Sequence, residues 1–200
     1  PITNYLMTDI ALFGTSADPP NIAHCQIVQW LSDRFDLVAV WASDNPLKPQ
    51  QTPIAHRAAM LKLTIAALQQ STSDPFAYAN IAVHPELSSP RALISVETAQ
   101  SLWPNATFTF AIGSDLIAQL PRWYRAAELL QKVRLLVIPR PSFPVRDRDV
   151  EYLRQYTLVE VAPLQMPDVS STAYRNTKDK TAIVPLVAEY IDREQLYWGS

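Results

Sequence analysis

Six short, nearly continuous apolar runs punctuate the chain: Ile10–Phe13, Leu37–Trp41, Ala79–Val83, Phe108–Ile112, Leu135–Ile138 and Leu158–Val161. Runs of this kind, with little polar alternation, suit strands covered on both faces. Between them lie stretches whose apolar residues recur at helical spacing: Ile22–Arg34, Pro53–Gln69, Val96–Trp103, Arg122–Lys132 and Asp147–Gln155. In Pro53–Gln69, residues Ala58, Leu61, Ile65 and Leu68 share one helical face, and Pro53 suits the first helical position. Regular alternation of strand and helix predicts an α/β fold, a doubly wound and mostly parallel sheet with helices on both faces. From about Pro167 onward no strand-like run occurs. Residues 167–200 read as a helical C-terminal part, Val184–Arg193 being its clearest helix. Without a repeat, low-complexity tract or linker, residues 1–200 read as one domain.

Ligands of such folds bind outside the carboxyl ends of the strands, where the strand order reverses. The chain has three glycines against seventeen prolines, and Gly199 lies near its end. Gly14 and Gly113 remain, each following an apolar run, where glycine permits a tight turn or a close approach. In a parallel sheet both fall on one rim. Residues 10–24 read as a strand, a turn at Gly14, and a proline-initiated helix with Asp18 at its cap and His24 on its first turn. Asn21 and His24 are three residues apart and can face one point, and a helix N-terminus suits a phosphate. Taken alone, the same residues also describe an ordinary βα turn with a surface histidine.

Composition narrows the class further. Seventeen basic and nineteen acidic residues give a net charge of −2, which argues against a general nucleic-acid or membrane-surface binder. The lone Cys25 excludes an intrachain disulfide, fits a reducing compartment and reads as a small buried hydrophobe. No apolar run approaches the roughly 18 residues of a membrane span, so the expectation is a soluble, cytoplasmic protein. His24, His56 and His84 show no paired spacing with Cys25 or with carboxylates, so no protein metal site is expected.

Two phosphate motifs are absent: Gly14-Thr15-Ser16-Ala17 is not a P-loop, and no G-x-G-x-x-G occurs. Asp18-Pro19-Pro20-Asn21-Ile22-Ala23-His24 instead resembles the G-T-F-D-P-P-H-x-G-H signature of the nucleotidylyltransferase superfamily. Val169-Ser170-Ser171-Thr172-Ala173-Tyr174-Arg175 resembles that superfamily's I-S-S-T-x-I-R. Gly113-Ser114-Asp115 with Leu120-Pro121-Arg122-Trp123-Tyr124 resembles the G-x-D and L-P-x-W-Y segments of bacterial nicotinate mononucleotide adenylyltransferases. Asn45-Pro46-Leu47-Lys48 with Arg57 and Met60 is similar to their N-P-x-K…R-x-x-M element. The matches run in the family's order and cover most of the chain. Asn21 replaces the first histidine of the signature, Ala23 its glycine, and Leu93–Thr98 only loosely follows the family's S-Y-T-x-D-T.

The resemblance implies transfer of the adenylyl group of ATP to nicotinate mononucleotide, giving deamido-NAD and pyrophosphate. Such chemistry asks for positioning and charge stabilisation. It implies His24 and Arg175 as the catalytic pair, with ATP at Gly14, Thr15, Ser16, Asn21, Gly113, Asp115, Ser170, Ser171 and Thr172. It further implies the pyridine nucleotide at Lys48, Arg57, Ser95, Trp123 and Tyr124. Read from spacing alone, Trp123 belongs to a core stripe, Asn21 to a helix cap and Arg57 to a helix-face ion pair. Mg²⁺ held mainly by ATP phosphates is implied as cofactor, and small-molecule substrates are the expected partners; a homo-oligomer is left open. Three alternatives remain: nicotinamide mononucleotide or phosphopantetheine as acceptor, or a nucleotide-binding module that has lost turnover.

Overall fold

The computed structural model describes residues 8–45, 48 and 50–198. Its six strands are β1 Asp9–Thr15, β2 Leu37–Ala42, β3 Ile81–Val83, β4 Thr107–Gly113, β5 Arg134–Ile138 and β6 Val159–Val161. They form one sheet in the order β3-β2-β1-β4-β5-β6, and every pairing is parallel. The α-helices are α1 Ile22–Ser32, α2 Ile54–Gln70, α3 Ala92–Leu102, α4 Ala126–Lys132, α5 Asp147–Arg154, α6 Ser171–Thr177 and α7 Pro185–Arg193. All six apolar runs are strands, as the pattern predicts. No helix among the described residues is long and apolar enough to cross a membrane.

Alternate residues of each strand enter opposite layers. Ile10, Leu12, Phe110, Ile112, Leu135 and Val137 pack with Val96, Leu129 and Leu153 from α3, α4 and α5. Ala11, Phe13, Val40, Leu136 and Ile138 pack with Val28, Leu31, Leu61 and Ile65 from α1 and α2. A third cluster joins Met60 of α2 to Tyr174 of α6 and to Ile183, Val187 and Ile191 around α7. The sheet winds outward from β1 through β2 to β3, then returns to lay β4 against the other side of β1. That reversal opens a crevice beyond Thr15 and Gly113.

Several local expectations are corrected. Gly14 is not a turn: β1 continues through Thr15, with Gly14 opposite Trp41. A Cβ at Gly14 would lie 2.6 Å from the Trp41 indole, so the glycine serves close packing. Helix α1 is capped by Asn21, not Asp18, and the two prolines precede the cap. Pro53 caps α2 instead of opening it. Helix α3 starts four residues before Val96, and the predicted helix from Arg122 splits. A 3₁₀ turn over Leu120–Arg122 is followed by Arg125 at φ 50°, and α4 begins only at Ala126. That break releases Trp123 and Tyr124 from a continuous helical stripe and sets them at the cavity wall.

Gly14→Ala is expected to destabilise the protein by about 1–3 kcal/mol, the usual cost of overpacking a fitted core. Chemical denaturation of the variant checks this. An unchanged midpoint would mean that Trp41 swings away freely.

Candidate active site

The crevice at the strand reversal is a cavity of about 990 Å³, large for a single small molecule and suited to two nucleotides or one dinucleotide. Its wall includes Gly14, Thr15, Ser16, Asn21 and His24 from the first βα unit, Gly113 and Asp115 after β4, and Ser170, Ser171, Thr172 and Arg175 around α6. Lys48, Ser95, Trp123 and Tyr124 also line it. Of the residues implied by the motifs, Arg57 alone does not line the cavity. Pro46 and Leu47 lie outside the described residues.

At the start of α1 the Asn21 carboxamide oxygen accepts from the N–H groups of Ala23 and His24, at 3.1 and 3.3 Å. Asn21 is therefore the helix cap, and it also faces the cavity. His24 answers from the third helical position: its Nδ1 lies 3.1 Å from the Asn21 N–H and 2.7 Å from Asn21 Oδ1. A ring nitrogen cannot accept from the first and donate to the second at once. When Nδ1 accepts from the Asn21 N–H, the proton of the neutral ring sits on Nε2. That atom lies 2.9 Å from Thr15 Oγ1, beside the crevice.

Burial lowers the His24 pKa from 6.5 to about 4, and the nearby Arg140 and Lys48 push it the same way. The ring is therefore neutral at pH 7. Because the folded pKa is below the unfolded one, this contribution to stability is present above pH 6.5 and is lost as pH falls towards 4. The ring protons of His24 in the ligand-free protein are expected to titrate in NMR with a midpoint of about 4. A midpoint near 6.5 would contradict the burial argument.

The loop between β1 and α1 is braced from distant parts of the chain. Asp18, 5% exposed, accepts from Thr52 N–H at 3.3 Å and from the Tyr197 hydroxyl at 2.7 Å. Ser171 Oγ donates to the Pro19 carbonyl at 2.8 Å, and Arg175 Nη1 donates to the Asp18 carbonyl at 2.5 Å. Arg175 Nη2 also donates to Thr172 Oγ1, at 3.1 Å. Ser170 Oγ is the α6 cap, accepting from Ala173 N–H. Ala17, buried at φ 47°, gives the loop its bend in a conformation that costs a non-glycine residue about 1 kcal/mol or more.

Arg57 lies beneath this loop, 2% exposed. Its Nε donates to the Thr52 carbonyl at 2.8 Å, and its Nη1 donates to the carbonyls of Ser16 and Ser43 at 2.9 and 2.7 Å. The expectation that Arg57 contacts a nucleotide is therefore replaced: its guanidinium ties the β1–α1 loop to both ends of the β2–α2 loop from below. Met60, its partner in the sequence motif, is fully buried in the third core cluster.

On the facing wall, Asp115 pairs with Arg140 Nη1 at 3.2 Å, and its Oδ1 is buried with no hydrogen-bond partner. A Cβ on Gly113 would collide with that oxygen, so the glycine lets the carboxylate fold back onto the strand end. Lys48 Nζ donates to Ser16 Oγ at 3.0 Å, and burial lowers its pKa. Arg140 and Arg91 are cavity residues that the motif reading missed. Arg140 carried one legible signal, its place two residues beyond the carboxyl end of β5. The contact of Tyr197 with Asp18, across 179 positions, had none.

The chain is similar to known proteins over most of its length. Residues 12–177 match the pattern of the cytidylyltransferase-like family. A relative from Synechocystis sp., called "Probable nicotinate-nucleotide adenylyltransferase", is 40% identical over 94% of this chain and 98% of its own. The nicotinate-nucleotide adenylyltransferase of Bacillus subtilis is 28% identical over 96% of this chain and 99% of its own. Among solved structures, the Plasmodium falciparum nicotinic acid mononucleotide adenylyltransferase complexed with NaAD superposes with a TM-score of 0.76. It is 24% identical, and the match covers 95% of this chain and 97% of that one.

Proposed function

We propose that this chain, which belongs to the cytidylyltransferase-like family and groups there with the nicotinate-nucleotide adenylyltransferases, uses its cavity for adenylyl transfer from ATP to nicotinate mononucleotide. An oxygen of the mononucleotide's 5′-phosphate attacks the α-phosphorus of ATP. The bond to the β-phosphate breaks, deamido-NAD forms and pyrophosphate leaves. No side-chain nucleophile is needed, so the protein's part is to position two anions and to steady the charge that builds between them.

The observation that carries this reading is the meeting of His24 and Arg175, from opposite ends of the chain, around one loop of one cavity. His24, neutral with its proton on Nε2, donates to a non-bridging α-phosphate oxygen as charge grows there. Arg175 and Thr172 hold the triphosphate and Lys48 the phosphate of the pyridine nucleotide, while Ser170 caps α6 and Ser171 seats it on the loop. Thr15, Ser16 and the Asn21 cap shape the floor, with Gly14 admitting the Trp41 indole and Gly113 the Asp115 carboxylate. The partnerless Asp115 Oδ1 is an acceptor suited to a ribose hydroxyl. Trp123 stacks on the pyridine, Tyr124 presents its backbone N–H to the carboxylate, and Ser95 lies across from them.

Among the described residues no group of three or more His, Cys, Asp or Glu side chains could hold a metal. That donor set fits a Mg²⁺ carried in on the phosphates and water, which would neutralise charge on the departing pyrophosphate.

Pyrophosphate release measured with nicotinate mononucleotide, nicotinamide mononucleotide and phosphopantetheine tests the reading. The highest kcat/KM is expected with the acid. Equal or greater efficiency with phosphopantetheine, which has no aromatic ring for Trp123, would overturn it.

A further inference from the structure

We propose that Arg91 is the residue by which this site prefers an acid to an amide acceptor: its guanidinium takes the carboxylate of the nicotinate ring. The inference rests on the proposed function, because it places the pyridine beside Trp123 and Tyr124. Arg91 occupies the cap position of α3 and lines the cavity together with those two residues. Its backbone is fixed. The N–H donates to Ser89 Oγ at 3.2 Å, and the carbonyl accepts from the N–H groups of Ile94 and Ser95 at 3.0 and 3.3 Å.

Its side chain is held differently. The guanidinium carbon lies 4.1 Å from the centroid of the Tyr124 ring. A guanidinium held over a ring through its central carbon keeps N–H donors at its edge for a ligand. No hydrogen bond or ion pair to another described residue engages those donors. Neighbouring arginines are otherwise occupied: Arg140 pairs with Asp115, and Arg175 binds the Asp18 carbonyl. Arg122, also on the wall, has no aromatic ring holding its charge in place. Arg91 is thus the cavity cation that is both oriented by a ring and uncommitted.

The chemistry of the two acceptors makes such a group discriminating. A nicotinate carboxylate offers two acceptor oxygens, which match the parallel donors of a guanidinium. A nicotinamide presents an NH₂ in place of one oxygen, so donor faces donor and one pair is lost. The position is also where the chain departs from its family. Leu93–Thr98 only loosely follows S-Y-T-x-D-T, and Arg91 stands just ahead of that segment.

Steady-state kinetics with both pyridine mononucleotides decide the matter, for the wild type, Arg91→Gln and Arg91→Lys. Wild-type turnover of the acid tests the proposed function by itself; its absence with both acceptors overturns that reading and this one together. Given that turnover, Arg91→Gln is expected to lower the acid-to-amide ratio of kcat/KM by about tenfold or more, chiefly through KM for the acid. Arg91→Lys should keep part of the preference, since it retains the charge but not the fork. Calorimetric binding of nicotinate mononucleotide should weaken in the same order. A ratio within about twofold of wild type in Arg91→Gln overturns the assignment, and so does an equal loss on both acceptors, which would mark Arg91 as merely structural.

Discussion

His24→Ala is expected to lower kcat by about 100- to 1,000-fold, the range seen when one preorganised donor to a developing oxyanion is removed. The Nε2 of His24 sits beside Thr15 Oγ1 at the crevice, and burial keeps the ring neutral. A neutral donor adds little to the ground-state attraction for a triphosphate. Its contribution grows only as charge builds on the α-phosphate, so KM for ATP should move far less than kcat. Initial rates across an ATP series separate the two parameters. The fold should tolerate the change, because Asn21 still caps α1 through the N–H groups of Ala23 and residue 24. Near-normal turnover together with a lower melting temperature would make His24 a structural residue and would remove the proposed mechanism.

Arg57→Met is the counterpart, a large effect on the fold from a residue that braces the cavity wall from behind without lining it. Methionine keeps most of the side-chain volume but leaves the carbonyls of Thr52, Ser16 and Ser43 without their donors. An unsatisfied buried acceptor costs about 1–3 kcal/mol, and three part-buried ones abandoned together should cost the protein about 3 kcal/mol. For a chain of this length that is a fall in Tm of about 6–12 °C. Calorimetry of the ligand-free protein reads it directly. Unchanged stability with weakened binding of the mononucleotide would restore Arg57 to the site.

The sheet was legible because its strands are covered on both faces, which writes each one as an uninterrupted apolar run. The cavity's rim followed from the same reading, since the carboxyl ends of β1 and β4 carry Gly14 and Gly113. What periodicity could not separate was the function of a side chain from its place. Arg57 and Arg175 both sit in family motifs, yet one faces the cavity and the other lies beneath it. The difference depends on how two loops close around Arg57, which is tertiary information. Asn21 shows the reverse case, with cap and cavity residue being one. Trp123 looked like a member of a helical stripe, and a single left-handed residue, Arg125, breaks that stripe. Arg91 stands beside a segment that departs from the family pattern, but its contact with the Tyr124 ring could not be read from the sequence.

The bracing of the β1–α1 loop by Ser171, Arg175 and Tyr197 sets an order of events during synthesis. The loop leaves the ribosome early, whereas its three braces emerge among the last described residues. A chain that ends at Val161 contains all six strands but lacks α6, α7 and the core cluster that they form with Met60. Its Asp18 still lacks the Tyr197 hydroxyl, and the Asp18 and Pro19 carbonyls lack their donors. Nucleotide therefore meets a finished floor but an unfinished pocket, and offers the growing chain little help in folding. The pocket is complete only with α6 and the segment after α7, which bring Ser171, Arg175 and Tyr197 to the loop.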